Sequence, residues 1–479
     1  MSFSEEELNF LFPAPSRAAF TFPGTSAESA EALVRLLKQD FVNFHCFFNE
    51  KRFHNHLSHH LYAAYALGAT PEILQEAYDY HASYQIKAYS SPASISIDNW
   101  RDHLGDPDYY NAYLKFFANE LRNNGSQSTL EKFIFSSDAN FGEKHPEMVS
   151  RLFGGLLHPF IYVGYGIEFG HLGLVAEGLA QAAVHLVSTS KLITKEFLDT
   201  SGPKSLATRL EQKLTLHPNG TVPNVHPLSI LDRVLKDKRL EPEIPSTDLE
   251  RYFNDCIEKV GPILSEYALT WQADVTTSTA TANSIEEVIW AVSAIYGIGG
   301  LRKDKPFKAD FFTMHFVTSS LFISPVLELI SQDSKRILLQ SYFALLLGYW
   351  VSQGRTKLDV ETFYSTTINL TPPGPKPTPH EETLAKENLY PNLWYPIAQS
   401  VIMHPGEHVL KLVRAFARFA VLYGTTPKGH FKHVELKGAE FIDGGLFVKA
   451  SFLSLGRNGW MREGGDKAFW DFDGFFGEN

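Results

Sequence analysis

Apolar residues recur at helical spacing along most of the chain. Within residues 26–49, Leu33, Leu36 and Leu37 fall on one stripe behind Thr25 and Ser26, which predicts a helix opened by a hydroxyl cap. Residues 56–67, HLSHHLYAAYAL, read as a helix ended by Gly68, and Pro71 opens a second one, PEILQEAYDYHASYQ, as proline does in a first helical turn. Residues 152–187 are apolar almost throughout and rich in Gly and Ala, which predicts a helix or helix pair buried on most sides. Further helical patterns cover 284–296, 311–331, 333–353, 396–403 and 406–422. Only 434–450 alternates, with Gly444 and Gly445 at a turn, so at most a short β-hairpin is expected near the C-terminus.

Breaks in the pattern predict loops at 90–108, 216–227, 240–247, 270–284 and 371–380. The last begins TPPGPKPTP, and five prolines in nine residues cannot continue a helix, so a surface loop is expected there. No break separates segments that look self-sufficient, and there is no internal repeat. The expectation is an all-α, mainly helical fold: one large domain over residues 1–479 with long connections.

Composition narrows the function. A net charge of −11 argues against a nucleic-acid partner, which needs a basic face. The 37 Phe and 20 Tyr supply rings for a core or for the walls of an apolar pocket. Cys46 and Cys256 are the two cysteines, without CxxC or zinc spacing, which predicts no disulfide framework and a reducing compartment. The acidic opening MSFSEEELNFLFPAPSR lacks the basic and apolar regions of a signal peptide, and the apolar stretches 316–330 and 337–350 are interrupted by polar residues. A cytoplasmic protein without a membrane partner is expected.

GxGxxG, GxxxxGK[ST], GxSxG and HExxH are all absent, and GYGIEFG at 164–170 has the wrong spacing within a helical pattern. Chemistry therefore falls to the nineteen histidines. His56 shares a helix face with His59 and His60, as His408 does with His404 and Lys411. His158 precedes Pro159 at the head of an apolar helix, and His315 lies within DFFTMHFVTSSLFI. Imidazole is the commonest ligand for iron, zinc and copper. Spacing alone leaves two readings open: ligands converging from several helices, or core and surface histidines satisfied by hydrogen bonds.

The segment HNHLSHHLYAAYALGATPEIL resembles the opening motif of the questin oxidase-like family of fungal polyketide pathways. HPFIYVGYGIEFG with AEGLAQAAVH, FFTMHFVTSS, PGEHVLKLVRAFARFA and AFWDFDGFF resemble its later segments, in order along nearly the whole chain. The family includes an anthraquinone ring-cleaving dioxygenase whose iron is held by four histidines and a carboxylated lysine. The resemblance therefore implies iron(II) on His56, His158, His315 and His408, with Lys411 carboxylated by carbon dioxide or bicarbonate, and His60 in reserve for His56. It implies oxygenation of an anthraquinone or related aromatic polyketide by dioxygen, with cleavage of a ring carbon–carbon bond. The alternative within the family is an NADPH-dependent Baeyer–Villiger-type monooxygenase. From another class, the alternative is a non-catalytic helical ligand-binding protein.

Physical chemistry tolerates this set. A charged Lys411 one turn from a metal-bound His408 would be repelled, whereas a buried neutral amine adds carbon dioxide and becomes an anionic oxygen ligand. Four imidazoles and one carboxylate leave one octahedral position. Tyr162 and Tyr165, one and two turns beyond His158, are expected to meet a phenolic substrate or move a proton, and Asn55 and Glu407 to orient an imidazole through its other nitrogen.

Overall fold

Ser26 opens the first long helix, α1 (Ala27–Asn43), where its hydroxyl accepts the Ser29 N–H and Leu33, Leu36 and Leu37 form the buried stripe. The structure, a computed structural model, describes residues 3–16, 18–198, 224–243 and 249–476. The predicted loop positions 216–223 and 244–247 lie outside these residues. α2 (Leu57–Ala66) is buried along nearly its whole length, and α3 (Pro71–Ala82) starts on its proline. After the loop at 90–108 comes α4 (Tyr110–Leu130). The apolar region 152–187 is a helix pair, α5 (Gly154–Phe169) and α6 (Leu172–Val184), turning at Gly170, whose φ of 74° suits glycine. A Cβ on Gly178 of α6 would come within 2.7 Å of the Pro159 carbonyl, so the missing side chain lets α6 seat against α5 beside His158.

Later helices include α7 (Phe311–Ser320), α8 (Gln332–Ser352), α9 (Glu407–Tyr423) and α10 (Gly445–Asn458). All-α is the observed class, with no strand among the described residues and only isolated bridges such as Asp310 to Asp471. Three local expectations differ. The pattern 311–331 is two helices bent by 43°, because Pro325 has no N–H for the Leu321 carbonyl. A helix starts inside the predicted loop 270–284, at Ser278, since the Thr277 hydroxyl accepts the Ala280 N–H. The predicted hairpin at 434–450 is instead a short turn at Ala439–Phe441 followed by α10. There the Asp443 carboxylate accepts the Gly445 N–H, and Leu446, Phe447 and Ala450 share a buried helical face. Residues 371–380 hold no helix and are mostly exposed, as the prolines predict.

One continuous apolar core runs from Leu11 to Trp460. Across it, the Arg414 guanidinium of α9 donates to Glu168 of α5 at 2.6 Å and lies over the Tyr165 and Phe169 rings. Both partners are buried, so this ion pair locks together the helices that carry His158 and His408. No single described helix is long and apolar enough to cross a membrane.

Candidate metal centre

Four imidazoles from four segments converge in the core. His56 stands at the N-terminus of α2, where the Asn55 side-chain oxygen accepts the Leu57 N–H and caps the helix. Asn55 also donates to the Asp40 carboxylate at 2.7 Å, so it steadies the helix start rather than orienting an imidazole. His158 follows three residues in left-handed conformation, Gly155, Leu156 and Leu157. For the two leucines this is a strained backbone costing roughly 1–2 kcal/mol each, a kind of strain that gathers at functional sites. His315 lies mid-helix in α7, and His408 in the first turn of α9.

One ring nitrogen from each of His56, His158, His315 and His408 lies within 4.8 Å of the others, all four residues being buried. Three of their outer nitrogens are already committed. His158 Nδ1 donates to the Gly155 carbonyl at 2.5 Å, His315 Nδ1 to the Phe311 carbonyl at 2.8 Å, and His408 Nδ1 to the Glu407 carboxylate at 2.7 Å. Glu407 also lies 3.9 Å from His56 Nδ1. A carbonyl or carboxylate can only accept, so the proton of those three rings sits on Nδ1 and an Nε2 lone pair points inward. His315 Nε2 and His408 Nε2 have no hydrogen-bond partner, while His56 Nε2 and His158 Nε2 face each other at 2.7 Å. Converging lone pairs repel unless a cation lies between them. Opposite nitrogens on an ion at bond lengths of about 2.1 Å stand about 4.2 Å apart, close to the spread seen here. The four residues fit a metal ion.

Electrostatics agrees. Burial pushes His56, His158 and His315 well below the usual imidazole range and His408 down to about 4, so the rings are neutral ligands at neutral pH. Burial opposes the charge of Glu407, but the His408 and His56 rings around it hold its carboxyl below the usual range. Lys411, one turn beyond His408, is buried with no partner for Nζ, and burial brings its amine down to about 7.

The other expected residues fall around this cluster. His60 turns to His81, Nδ1 to Nε2 at 2.8 Å, and His81 meets the Tyr84 hydroxyl, so His56 is the member of that motif placed with the other three. The Tyr162 hydroxyl donates to the Asn55 carbonyl at 2.5 Å, and the Tyr165 ring stacks on Tyr62 beneath Arg414. Sequence reasoning gave no role to three neighbours. His59, fully buried with neither nitrogen paired, lies against Tyr162. His54 stacks on His158 at 3.9 Å and 3°, and its Nε2 meets His185 Nε2 at 2.7 Å. His54 and His59 were visible in HNHLSHH, but no spacing tied His185 to them.

The fold and the cluster define an all-α protein with a buried four-histidine centre suited to a metal ion. The chain belongs to the questin oxidase-like family, whose profile matches residues 53–416. Among curated relatives, the oxidoreductase AflY of Aspergillus parasiticus is 30% identical over 276 residues, covering 54% of this chain and 55% of that protein. The Baeyer-Villiger monooxygenase AacuH of Aspergillus aculeatus is 30% identical over 316 residues, covering 63% of each chain. The questin oxidase of Aspergillus fumigatus is 28% identical over 354 residues, covering 72% of this chain and 74% of its own length. The chain thus spans just over half of the first of these relatives.

Proposed function

We propose that this protein is a non-haem iron oxidoreductase that uses dioxygen to cleave a ring carbon–carbon bond of an anthraquinone or related aromatic polyketide. The observation that carries the reading is the convergence of four neutral imidazoles, three with the outer nitrogen committed, beside a buried amine without a partner. His56, His158, His315 and His408 would hold iron(II), and Lys411, carboxylated on Nζ, would add an anionic oxygen. When bound, the metal supplies one-electron chemistry with dioxygen at a coordination position left open.

The chain's own groups do the rest. Glu407 holds the His408 proton on Nδ1 and so keeps Nε2 available. Tyr162 fixes the backbone that carries His56 by binding the Asn55 carbonyl, and Tyr165 supports the α2–α5–α9 packing behind it. With its amine at about 7, much of Lys411 is neutral at neutral pH. A neutral amine adds carbon dioxide to give a carbamate anion and a released proton.

Elemental analysis and labelled dioxygen test this reading. One iron per chain is expected, with two labelled oxygen atoms in a ring-opened product and no nicotinamide consumed. The similarity to the Baeyer-Villiger monooxygenase AacuH favours a second reading, insertion of one oxygen atom, for which NADPH would be the reductant. One labelled atom with matching NADPH consumption would establish that reading instead. Tight binding of the polycycle without iron or turnover, after full iron supplementation, would mark a ligand-binding protein.

A further inference from the structure

The four-histidine cluster is buried to unequal depth. His59 and His315 are fully buried, whereas the side chains of His56 and His408 are each 9% exposed and that of Glu407 is 16% exposed. Glu407 and the outer edges of the His56 and His408 rings are therefore the part of the centre nearest the surface.

The neighbourhood of His408 is aromatic. Phe311, at the start of α7, has its ring 4.6 Å from that of His315 and 5.0 Å from that of His408. Phe472 packs on Phe311 at 4.5 Å and yet is 47% exposed. The Trp470 ring lies 6.3 Å from that of His408. Phe472 and Trp470 come from one non-helical strap, residues 467–473, near the C-terminus.

The strap is pinned at its centre. The Asp471 N–H donates to the Ala309 carbonyl, the Phe311 N–H donates to the Asp471 carbonyl, and the Asp471 carboxylate accepts from the Ala309 N–H and the Arg457 guanidinium. Alternate side chains of extended backbone share a face, so Trp470 and Phe472 flank this bridge on one face and Phe469, 71% exposed, belongs to the other. At the strap's start the Lys467 ammonium meets the exposed Tyr80 hydroxyl at 3.0 Å, which sets a cation and a phenol at that end. The strap lies beyond residues 53–416, the span matched by the family profile.

We propose that Trp470 and Phe472, together with Phe311, form the substrate-binding platform: a flat polycyclic phenol stacks on these rings with its edge toward His408. This rests on the oxidoreductase reading for the chemistry that follows, but not for the binding itself. Rigid, partly exposed rings packed beside His408 suit a planar aromatic better than a flexible chain, because stacking rewards flat faces. Lys467 and Tyr80 suit the phenolic oxygens at the rim of such a ligand. These platform side chains set substrate specificity, while the histidines set the reaction.

Calorimetric titration of the full chain with a dihydroxyanthraquinone, in iron-loaded and metal-free form, tests the platform. Trp470→Ala and Phe472→Ala are each expected to raise Kd about tenfold, with Trp470→Phe restoring most of the affinity. Phe469→Ala is expected to leave it unchanged, and iron content is expected to stay constant throughout. Where Trp470→Ala fails to fold, Trp470→Leu keeps bulk, removes the ring face and is read the same way. Unchanged Kd in folded Trp470 and Phe472 variants overturns the platform, even if iron and turnover are intact. Affinity that depends on Trp470 in a protein without iron or oxygenation upholds the platform and removes the oxidoreductase reading instead.

Discussion

His158 and His408 each bring an inward lone pair that only a metal or a proton can satisfy, and each is oriented by a hydrogen bond on its far side. In the proposed centre, replacing either by Ala would remove a ligand while leaving the Arg414–Glu168 pair and the apolar core between the helices in place. His158→Ala and His408→Ala are expected to lose iron by at least about tenfold while circular dichroism stays that of the parent. Full iron and full activity in both would remove them from the ligand set. At Lys411 the sign of the pH effect follows from burial. The amine titrates at about 7 in the fold against 10.5 as the ordinary value, so between those values the unfolded chain binds a proton that the folded chain does not. Stability of the metal-free protein should therefore rise from about pH 7 toward pH 10 and be lost again as pH falls through about 7. Thermal melts should show this rise in the parent and a smaller one in Lys411→Met. Lys411→Arg should abolish turnover beyond rescue by bicarbonate, because a guanidinium carries no carbamate; unchanged turnover would end the carboxylation proposal.

Between elements, the Arg414–Glu168 pair decides how α9 meets α5, and with them His408 and His158. Both charges are buried, and Arg414 adds contacts to two aromatic rings. Removing one partner strands the other charge in the core. Arg414→Met is expected to cost about 3–5 kcal/mol in a denaturant titration, and adding Glu168→Gln to recover part of that loss. A double variant as unstable as the sum of the single ones would show that the pair does not act as a unit. The turn of strained residues before His158 belongs to the same level. Gly155 sits so close to His54 and His185 that a Cβ would meet their rings at 2.6 and 2.4 Å. The strained turn and the stacked imidazoles therefore hold one another in place.

For the molecule as a whole, buried imidazoles dominate the response to acid. Burial lowers thirteen described histidines, among them His60 and His185 to about 3 and His171 to about 4. Four carboxyls are pushed the other way by burial, the buried Asp40, Glu177 and Asp310 and the half-buried Glu287. Histidines that protonate only on unfolding contribute stability above about pH 6.5 that is lost as pH falls through their folded values. The raised carboxyls contribute stability at low pH that is lost as pH rises. Thirteen groups against four decides the balance: the metal-free protein should lose stability steadily below about pH 6.5. A denaturant midpoint that stayed flat from pH 6.5 to pH 4 would contradict the buried, neutral state of these rings.

Much of this was legible in the chain itself. Hydroxyl caps, Gly68, Pro71 and the apolar period placed most helices, because those signals act within one or two turns. The family motifs placed each of the four histidines on its segment. Two errors of pattern had local causes too weak to read: Asp443 capping α10 across a stretch that alternates, and Thr277 capping a helix inside a Thr/Ser-rich run. What only the tertiary structure decided is the meeting of those segments. His56 and His158 are 102 residues apart and touch, while His60, one turn from His56, faces His81 instead. The pairing of His54 with His185, the orphaned amine of Lys411 and the aromatic strap beside His408 are likewise products of packing. Periodicity along a chain records which residues share a helix face, but not which faces come together. That is settled by the fit of whole helices around one core, where small residues such as Gly178 and buried pairs such as Arg414–Glu168 fix how each helix seats.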